Sequence, residues 1–456
     1  MLPQHFKTQM RRQLGAAEWE ALEAALQTPA PVSIRLNRQK TPADRSLLPT
    51  PDGAVAWHPD GYYLSERPVF TLDPLFHAGA YYVQEASSMF LHEVLRQSGR
   101  SGQSLKVLDL CAAPGGKTTL LYDAVQAQLS ANEIVPNRAA ILRENLEKWG
   151  IPDAAITSSD PTAYEALIEW FDLIVVDAPC SGEGMFRKDP DAIKEWSPEN
   201  VEVCVARQSR ILDIAKRALA PGGLLVYSTC TFNPHENEEQ MERHFGNDDY
   251  REITLAFDPE AGIMACSTGL RFLPHRVRGE GFYIAAFEKK DHSGPRPKLH
   301  PSAGFKHLTA LPKRLYGAIT PWLAHPEDYG LWQTLSGDVL ALPLAREPEL
   351  LLLDKHIKSK WFGTHIGTLK GNDLIPAHAL ALSHLANNSI QTLELSREQA
   401  LIFLKKETFD LPDSTPKGWT VAQYNGLPLG WIKVLPNRMN NYLPPERRIR
   451  MEVRGA

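Results

Sequence analysis

The chain has 456 residues, with 49 Lys and Arg against 54 Asp and Glu for a formal net charge of −5, and 43% of its residues are hydrophobic. At roughly 100 to 200 residues per domain, that length makes two to four domains, each able to bury a core. Ordinary apolar content, interspersed charges and the lack of a fixed repeat exclude disordered, collagen-like and coiled-coil chains, and the slightly acidic balance does not suggest a general polyanion binder, although local basic surface can still hold nucleic acid.

Residues 1–22 carry basic groups on an amphipathic pattern without the apolar stretch of a signal peptide, which predicts a helix. No apolar run approaches the roughly 18 to 20 residues that span a bilayer; the longest, such as 173–176 and 350–353, are strand-sized. Five cysteines, an odd number in a chain with no signal segment, predict free thiols in a reducing compartment, and therefore the cytoplasm. Residues 32–37 read as a strand in a small mixed α+β segment.

From Ser104 to Phe287 short β-branched runs alternate with helical spacing. Strands are predicted at 105–110, 156–158, 171–176 and 224–228, and helices over 118–129, 138–149 and 200–219. This alternation predicts a doubly wound α/β sheet. Residues 279–287 read as a late strand entered through a glycine turn, and 291–304 have linker composition. Beyond them, Trp361, Trp419 and Trp431 sit among turn-rich sequence that suggests a small β-rich unit. The expected organisation is an amino-terminal unit (1–100), a catalytic unit (101–290), a linker (291–306), a small α/β connecting module (307–370) and a β-rich carboxyl-terminal region (371–456).

At the end of the first α/β strand run Asp109, Leu110, Cys111, Ala112, Ala113, Pro114, Gly115, Gly116, Lys117 and Thr118. A glycine turn between strand and helix lets backbone amides approach a ligand closely. It is not a phosphate loop, because the first glycine of GxxxxGK[ST] would fall on Cys111. About 20 residues further on, Glu133 ends the second strand, where a carboxylate can accept both hydroxyls of an adenosine ribose. Asp160 follows the third strand and can take an adenine amino group; Asp177 ends the fourth. With Asp109, four acids face one crevice, a rim suited to a cationic cofactor such as S-adenosylmethionine. The competing reading is that such acids cap the following helices.

Two cysteines emerge at neighbouring strand ends, Cys180 in Asp177, Ala178, Pro179, Cys180 and Cys230 in Ser228, Thr229, Cys230. A thiolate can attack C6 of a pyrimidine and make C5 nucleophilic enough to take a methyl group from a sulfonium, after which a base must remove the C5 proton. Zinc is disfavoured by the absence of a CxxC pair or HxxxH partner, so no metal is expected. Two buried thiols acting as small hydrophobes are the plain alternative, which suits Cys204 and Cys266.

These three motifs, with Arg35 to Asn37 and Tyr82 to Ser88 upstream, resemble the NOL1/NOP2/Sun family of RNA cytosine-C5 methyltransferases. The resemblance implies a Rossmann-like catalytic core, Cys230 as nucleophile, Cys180 as the group that releases the product, and cofactor contacts from Cys111 to Lys117, Glu133, Arg138, Asp160 and Asp177. It also implies that Asp177 holds the flipped cytosine and that Lys117 bridges cofactor and substrate. Residues 375–381, 395–400 and 418–431 resemble the PUA-like RNA-binding domain of the branch that modifies small-subunit (16S) ribosomal RNA. That branch usually has Lys-Asn where this chain has Asn440 and Asn441. Lys433, Arg438, Arg447, Arg448, Arg450 and Arg454 can supply phosphate contacts, and Trp419 and Trp431 either stack bases or fill the core. RNA is therefore the expected partner, with a monomer as the default state; a transfer RNA substrate and a non-catalytic ribosome-assembly role are the alternatives.

Overall fold

A computed structural model of the chain describes residues 2–291, 297–358, 360–412 and 414–451. Part of the expected linker and Arg454 lie outside the described residues. Helix α1 (Gln4–Leu14) buries Phe6 and Met10, four residues apart and so on one face, and α2 (Ala16–Ala25) adds Trp19 and Leu22. These side chains form one cluster with Phe186, Trp196 and Phe232 of the catalytic unit. Strand β1 (Val32–Leu36) then pairs antiparallel with Gly61–Leu64 and Tyr81–Val83 in a four-stranded sheet.

The central sheet has ten strands. Its parallel part is built from β2 (Ser104–Asp109), α3 (Gly116–Ala124), β3 (Gln126–Asn132), α4 (Pro136–Trp149), β4 (Ala155–Thr157), β5 (Phe171–Asp177), α5 (Pro198–Ala218) and β6 (Leu219–Thr229). The order runs β4, β3, β2, β5, β6, followed by antiparallel β7 (Phe282–Lys289). The chain steps outward from β2 to β4 and then returns to β5 on the other side of β2. That reversal opens a crevice at the carboxyl ends of β2 and β5, where open α/β sheets bind ligands.

The helix expected over 118–129 stops at Ala124. Val125 is already extended, and β3 lies parallel to β2 from Ser104 opposite Gln126 to Asp109 opposite Ala131. Burial of Leu129 and Ala131 in the sheet overrides the helix-favouring Ala and Gln of this stretch.

Beyond the linker, strand β8 (Lys360–Phe362) carries Trp361 not into the carboxyl-terminal sheet but onto the edge of the central one, antiparallel to β4. A five-stranded sheet follows the order Leu308–Ala310, Tyr329–Thr334, Asp338–Pro343, Thr364–Lys370, Asp373–Pro376. The boundary expected between 370 and 371 therefore falls inside a hairpin, since Lys370 pairs with Asp373. The last sheet comprises Thr392–Glu394, Gly418–Tyr424, Leu427–Leu435 and Arg438–Asn441. It shares a core with the first, Ile34 and Tyr81 clustering with Phe403 and Leu429. Among the described residues no helix is long and apolar enough to cross a membrane.

Candidate active site

The loop after β2 is pinned through its carbonyls. Arg138 donates to Ala113 O at 2.9 Å, Asn145 to Pro114 O at 2.8 Å and the Tyr82 hydroxyl to the same oxygen at 3.2 Å. Its turn needs Gly115, whose φ is +111° and whose added Cβ would lie 3.2 Å from Leu142 Cδ1. A side chain there would strain the backbone by about 1–3 kcal/mol. Gly115→Ala is accordingly expected to weaken S-adenosylmethionine binding about tenfold or more, measured by titration calorimetry.

Asp109 is buried, and its Oδ2 accepts the Thr118 hydroxyl at 2.7 Å. Burial pushes this carboxyl up to about 7 against the opposing pull of Thr118. Because the folded form holds the proton more tightly than the unfolded one, Asp109's contribution to stability is fully present below the ordinary carboxyl range near 4 and fades as pH rises through about 7. Denaturant unfolding at about pH 5 and pH 8 should show wild type losing more stability than Asp109→Asn, by up to about 2.5 kcal/mol.

The other three acids stand differently. Glu133 Oε1 accepts Val135 N at 3.0 Å, while Oε2 has only Arg138 at 3.5 Å, which leaves it acceptor capacity for a ribose diol. Arg138 is more than half exposed and clamps loop and carboxylate together. Asp160 Oδ1 caps the short helix after β4 through Thr162 N at 3.0 Å and pairs with Arg210 at 2.6 Å. That Asp160 oxygen thus does the capping work weighed as the alternative. Asp177 takes Lys117 Nζ at 2.8 Å on Oδ2 and the Ser228 hydroxyl at 2.7 Å on Oδ1. Burial opposes the Lys117 charge, but the neighbouring Asp177 prevails and holds the ammonium above its usual range. The glycine turn opening α3, the buried Glu133 carboxylate and the Asp177 and Lys117 pair fit a cofactor with a ribose and a cationic sulfonium.

The two cysteines meet. Cys180 Sγ lies 3.3 Å from Cys230 Sγ, although 50 residues separate them. The contact with Cys230, and then burial, hold the Cys180 thiol well above its ordinary range, so Cys180 keeps its proton. Cys111, by contrast, is raised mainly by burial and packs against the apolar cluster on one face of the central sheet. Gly184 brings the two thiol-bearing loops together: its N donates to Cys230 O at 2.9 Å, and an added Cβ would sit 2.5 Å from Gly281 O. Sequence reasoning passed over Gly184, Ser228 and the carboxylates Glu183 and Glu236. The Gly-Glu-Gly run at 182–184, one residue beyond Ser181, was a signal for Glu183 and Gly184 alone.

Comparison with known proteins matches three parts of the chain. Models described as 16S rRNA methyltransferase RsmB/F, the N-terminal domain of 16S rRNA methyltransferase RsmF and the methyltransferase RsmF PUA domain match residues 100–288, 2–86 and 390–449. The ribosomal RNA small subunit methyltransferase F of Shewanella oneidensis is 33% identical, covering 92% of this chain and 91% of its own. The chain belongs to the RsmF family. The Klebsiella pneumoniae relative of the same name is 31% identical, covering 97% of this chain and 96% of its own. A solved methyltransferase homolog protein from Pyrococcus horikoshii is 29% identical with a TM-score of 0.52, covering 61% of this chain and 92% of that one. NSun6 from Pyrococcus horikoshii, solved with SFG, shares the fold at 19% identity and a TM-score of 0.52, covering 64% and 99%.

In this RsmF-family chain the carboxyl-terminal residues divide sharply. Trp431 is fully buried and donates to Ala377 O at 2.8 Å, so it is core. Trp419 is half-buried, with Lys433 Nζ 5.0 Å from its ring and Tyr442 packed edge-on. Arg447 is not a free phosphate contact, because it is bound to Glu144 and Glu147 of α4. Arg438, Arg448 and Arg450 remain exposed. Asn441 Nδ2 donates to the carbonyls of Phe403 and Glu407, a structural task at the position where the family's Lys-Asn pair was expected.

Proposed function

We propose that this chain methylates C5 of cytosine in small-subunit ribosomal RNA, using S-adenosylmethionine, in the cytoplasm. The observation that carries the reading is the pair of thiols 3.3 Å apart at the ends of β5 and β6, beside the glycine loop that ends β2. Family membership supports a ribosomal substrate. The residues placed to hold the cofactor are the loop from Cys111 to Lys117, Glu133 and Asp177, with Arg138 setting the loop and Asp160 at the rim. When bound, S-adenosylmethionine supplies an electrophilic methyl group.

The chain's own residues do the rest. Cys230, as thiolate, bonds to C6 of the cytosine and moves electron density to C5. Asp177, fixed by Lys117 and Ser228, orients the base through its N3 or amino group. Once C5 has taken the methyl group, the Cys180 thiol passes its resting proton to solvent water and the thiolate so formed removes the C5 proton, which restores the thiol; the C6–S bond breaks and its electron pair returns to Cys230. A base stacked in a helix does not expose C6 to a thiol, so the target is flipped out or already unpaired. The amino-terminal unit and the PUA domain grip the RNA, with Arg438, Arg448 and Arg450 setting affinity rather than sequence.

Incubation with unmodified small-subunit RNA and methyl-labelled S-adenosylmethionine, followed by nucleoside analysis, tests this reading. Label is expected in 5-methylcytidine. Label in another nucleoside, or faster transfer to transfer RNA than to ribosomal RNA, would overturn the reaction or the substrate assignment.

A further inference from the structure

Two carboxylates lie buried around the thiols and take no part in the steps above. Glu183, on the loop that carries Cys180, accepts Phe232 N at 3.1 Å on Oε2, two residues past Cys230, and Trp196 Nε1 at 3.0 Å on Oε1. Glu236, on the segment that carries Cys230, accepts Ser181 N at 2.9 Å on Oε2, one residue past Cys180. The same oxygen takes Gln208 Nε2 at 2.9 Å, and that amide also reaches Pro179 O at 3.0 Å. A Ser181 to Thr231 hydroxyl bond of 2.9 Å closes the frame. Each loop thus hands one carboxylate to the backbone of the other.

Burying two carboxylates within electrostatic reach of each other is costly. Burial first, and Glu236 second, push Glu183 up to about 7. What the arrangement secures is geometry, since charge-assisted bonds to backbone N–H are short and directional. We propose that Glu183 and Glu236 are positioning residues that hold the two thiols in working register, Glu183 setting Cys230 and Glu236 setting Cys180. The inference rests on the cysteine assignments proposed above and extends them to separate steps: Glu183 governs formation of the covalent adduct, and Glu236 governs its release.

The acceptor patterns make the two sites respond differently to an amide. Only one oxygen of Glu236 is used, so Glu236→Gln can keep both bonds; both oxygens of Glu183 face donors, so Glu183→Gln sets an N–H against one of them. With wild type, Glu183→Gln, Glu183→Ala, Glu236→Gln and Glu236→Ala, the measurements are kcat, KM for RNA and for S-adenosylmethionine, and the yield of denaturation-resistant protein–RNA adduct. Calorimetric S-adenosylmethionine affinity serves as the folding control. A displacement of about 1 Å costs on the order of a hundredfold in rate, so both Ala variants are expected to lose about that in kcat with KM values held within about twofold.

Glu236→Ala should accumulate adduct, Glu183→Ala and Glu183→Gln should form almost none, and Glu236→Gln should turn over near the wild-type rate. The inference is overturned if Glu183 and Glu236 variants show the same adduct yield, or if kcat falls only in step with loss of cofactor affinity. If an Ala variant does not bind the cofactor, the contrast between the two Gln variants decides. Failure of wild type to methylate RNA would instead count against the proposed function, so the two failures are distinct.

Discussion

Cys230→Ala is expected to reduce methyl transfer to below roughly a thousandth of the wild-type rate, because a nucleophile that acts as part of a unit takes most of the rate with it. Cytosine C5 has little nucleophilicity until a group adds at C6, so the cofactor and the remaining site cannot compensate. Cys180→Ala should lose steady-state turnover about as completely for the opposite reason. Its Cys230 still attacks and C5 still receives the methyl group, but no thiol 3.3 Å away takes the C5 proton. Rapid-quench kinetics separate the two cases. Cys180→Ala should transfer about one methyl group per enzyme in a burst and then stop, whereas Cys230→Ala should show no burst. Equal steady turnover in either variant would remove that cysteine from the chemistry.

Arg35→Ala is expected to destabilise the protein by about 2–4 kcal/mol, because it empties a buried guanidinium site and leaves the Gln84 and Thr119 polar groups without that partner. The Arg35 side chain is 1% exposed and bonds Asp123 at 2.5 Å, Gln84 Oε1 at 2.9 Å and the Thr119 hydroxyl at 2.5 Å. Its guanidinium also lies 4.5 Å from the centre of the Trp149 ring. Burial pulls the guanidinium below its usual range while Asp123 opposes that pull. These contacts tie the amino-terminal β1 to α3 and α4, the helices that flank the cofactor loop. Denaturant unfolding followed by circular dichroism should show the loss, with weaker cofactor binding alongside it. Arg96→Ala, which removes the pair between a fully exposed guanidinium and Glu93, should leave the unfolding midpoint almost unchanged.

The catalytic sheet was legible because its period is local. Alternation of β-branched runs with 3.6-residue spacing placed β5, α4 and α5 within a few residues of where they stand. The paired cysteines were legible for a similar reason, since each directly follows a predicted strand and parallel strands deliver their carboxyl ends to one crevice. Position in the chain does not say what an acid bonds to. Asp160 has an oxygen occupied by its own helix end and by Arg210, and Glu133 shares Arg138, 50 and 5 residues away respectively in sequence. The swap of carboxylates between the Cys180 and Cys230 loops joins backbone groups far apart in the chain, and no local pattern announces it. Gln126 to Leu129 misled because helix propensity is weaker than a place in a buried parallel sheet.

The most direct test of the covalent cysteine mechanism is tandem mass spectrometry of the adduct formed by Cys180→Ala with small-subunit RNA and S-adenosylmethionine, after digestion with protease and nuclease. A methylated cytidine attached to the peptide that contains Cys230 is the predicted result. Attachment to Cys111 or to any other residue, or methylated RNA released at the wild-type rate with no adduct, would contradict it.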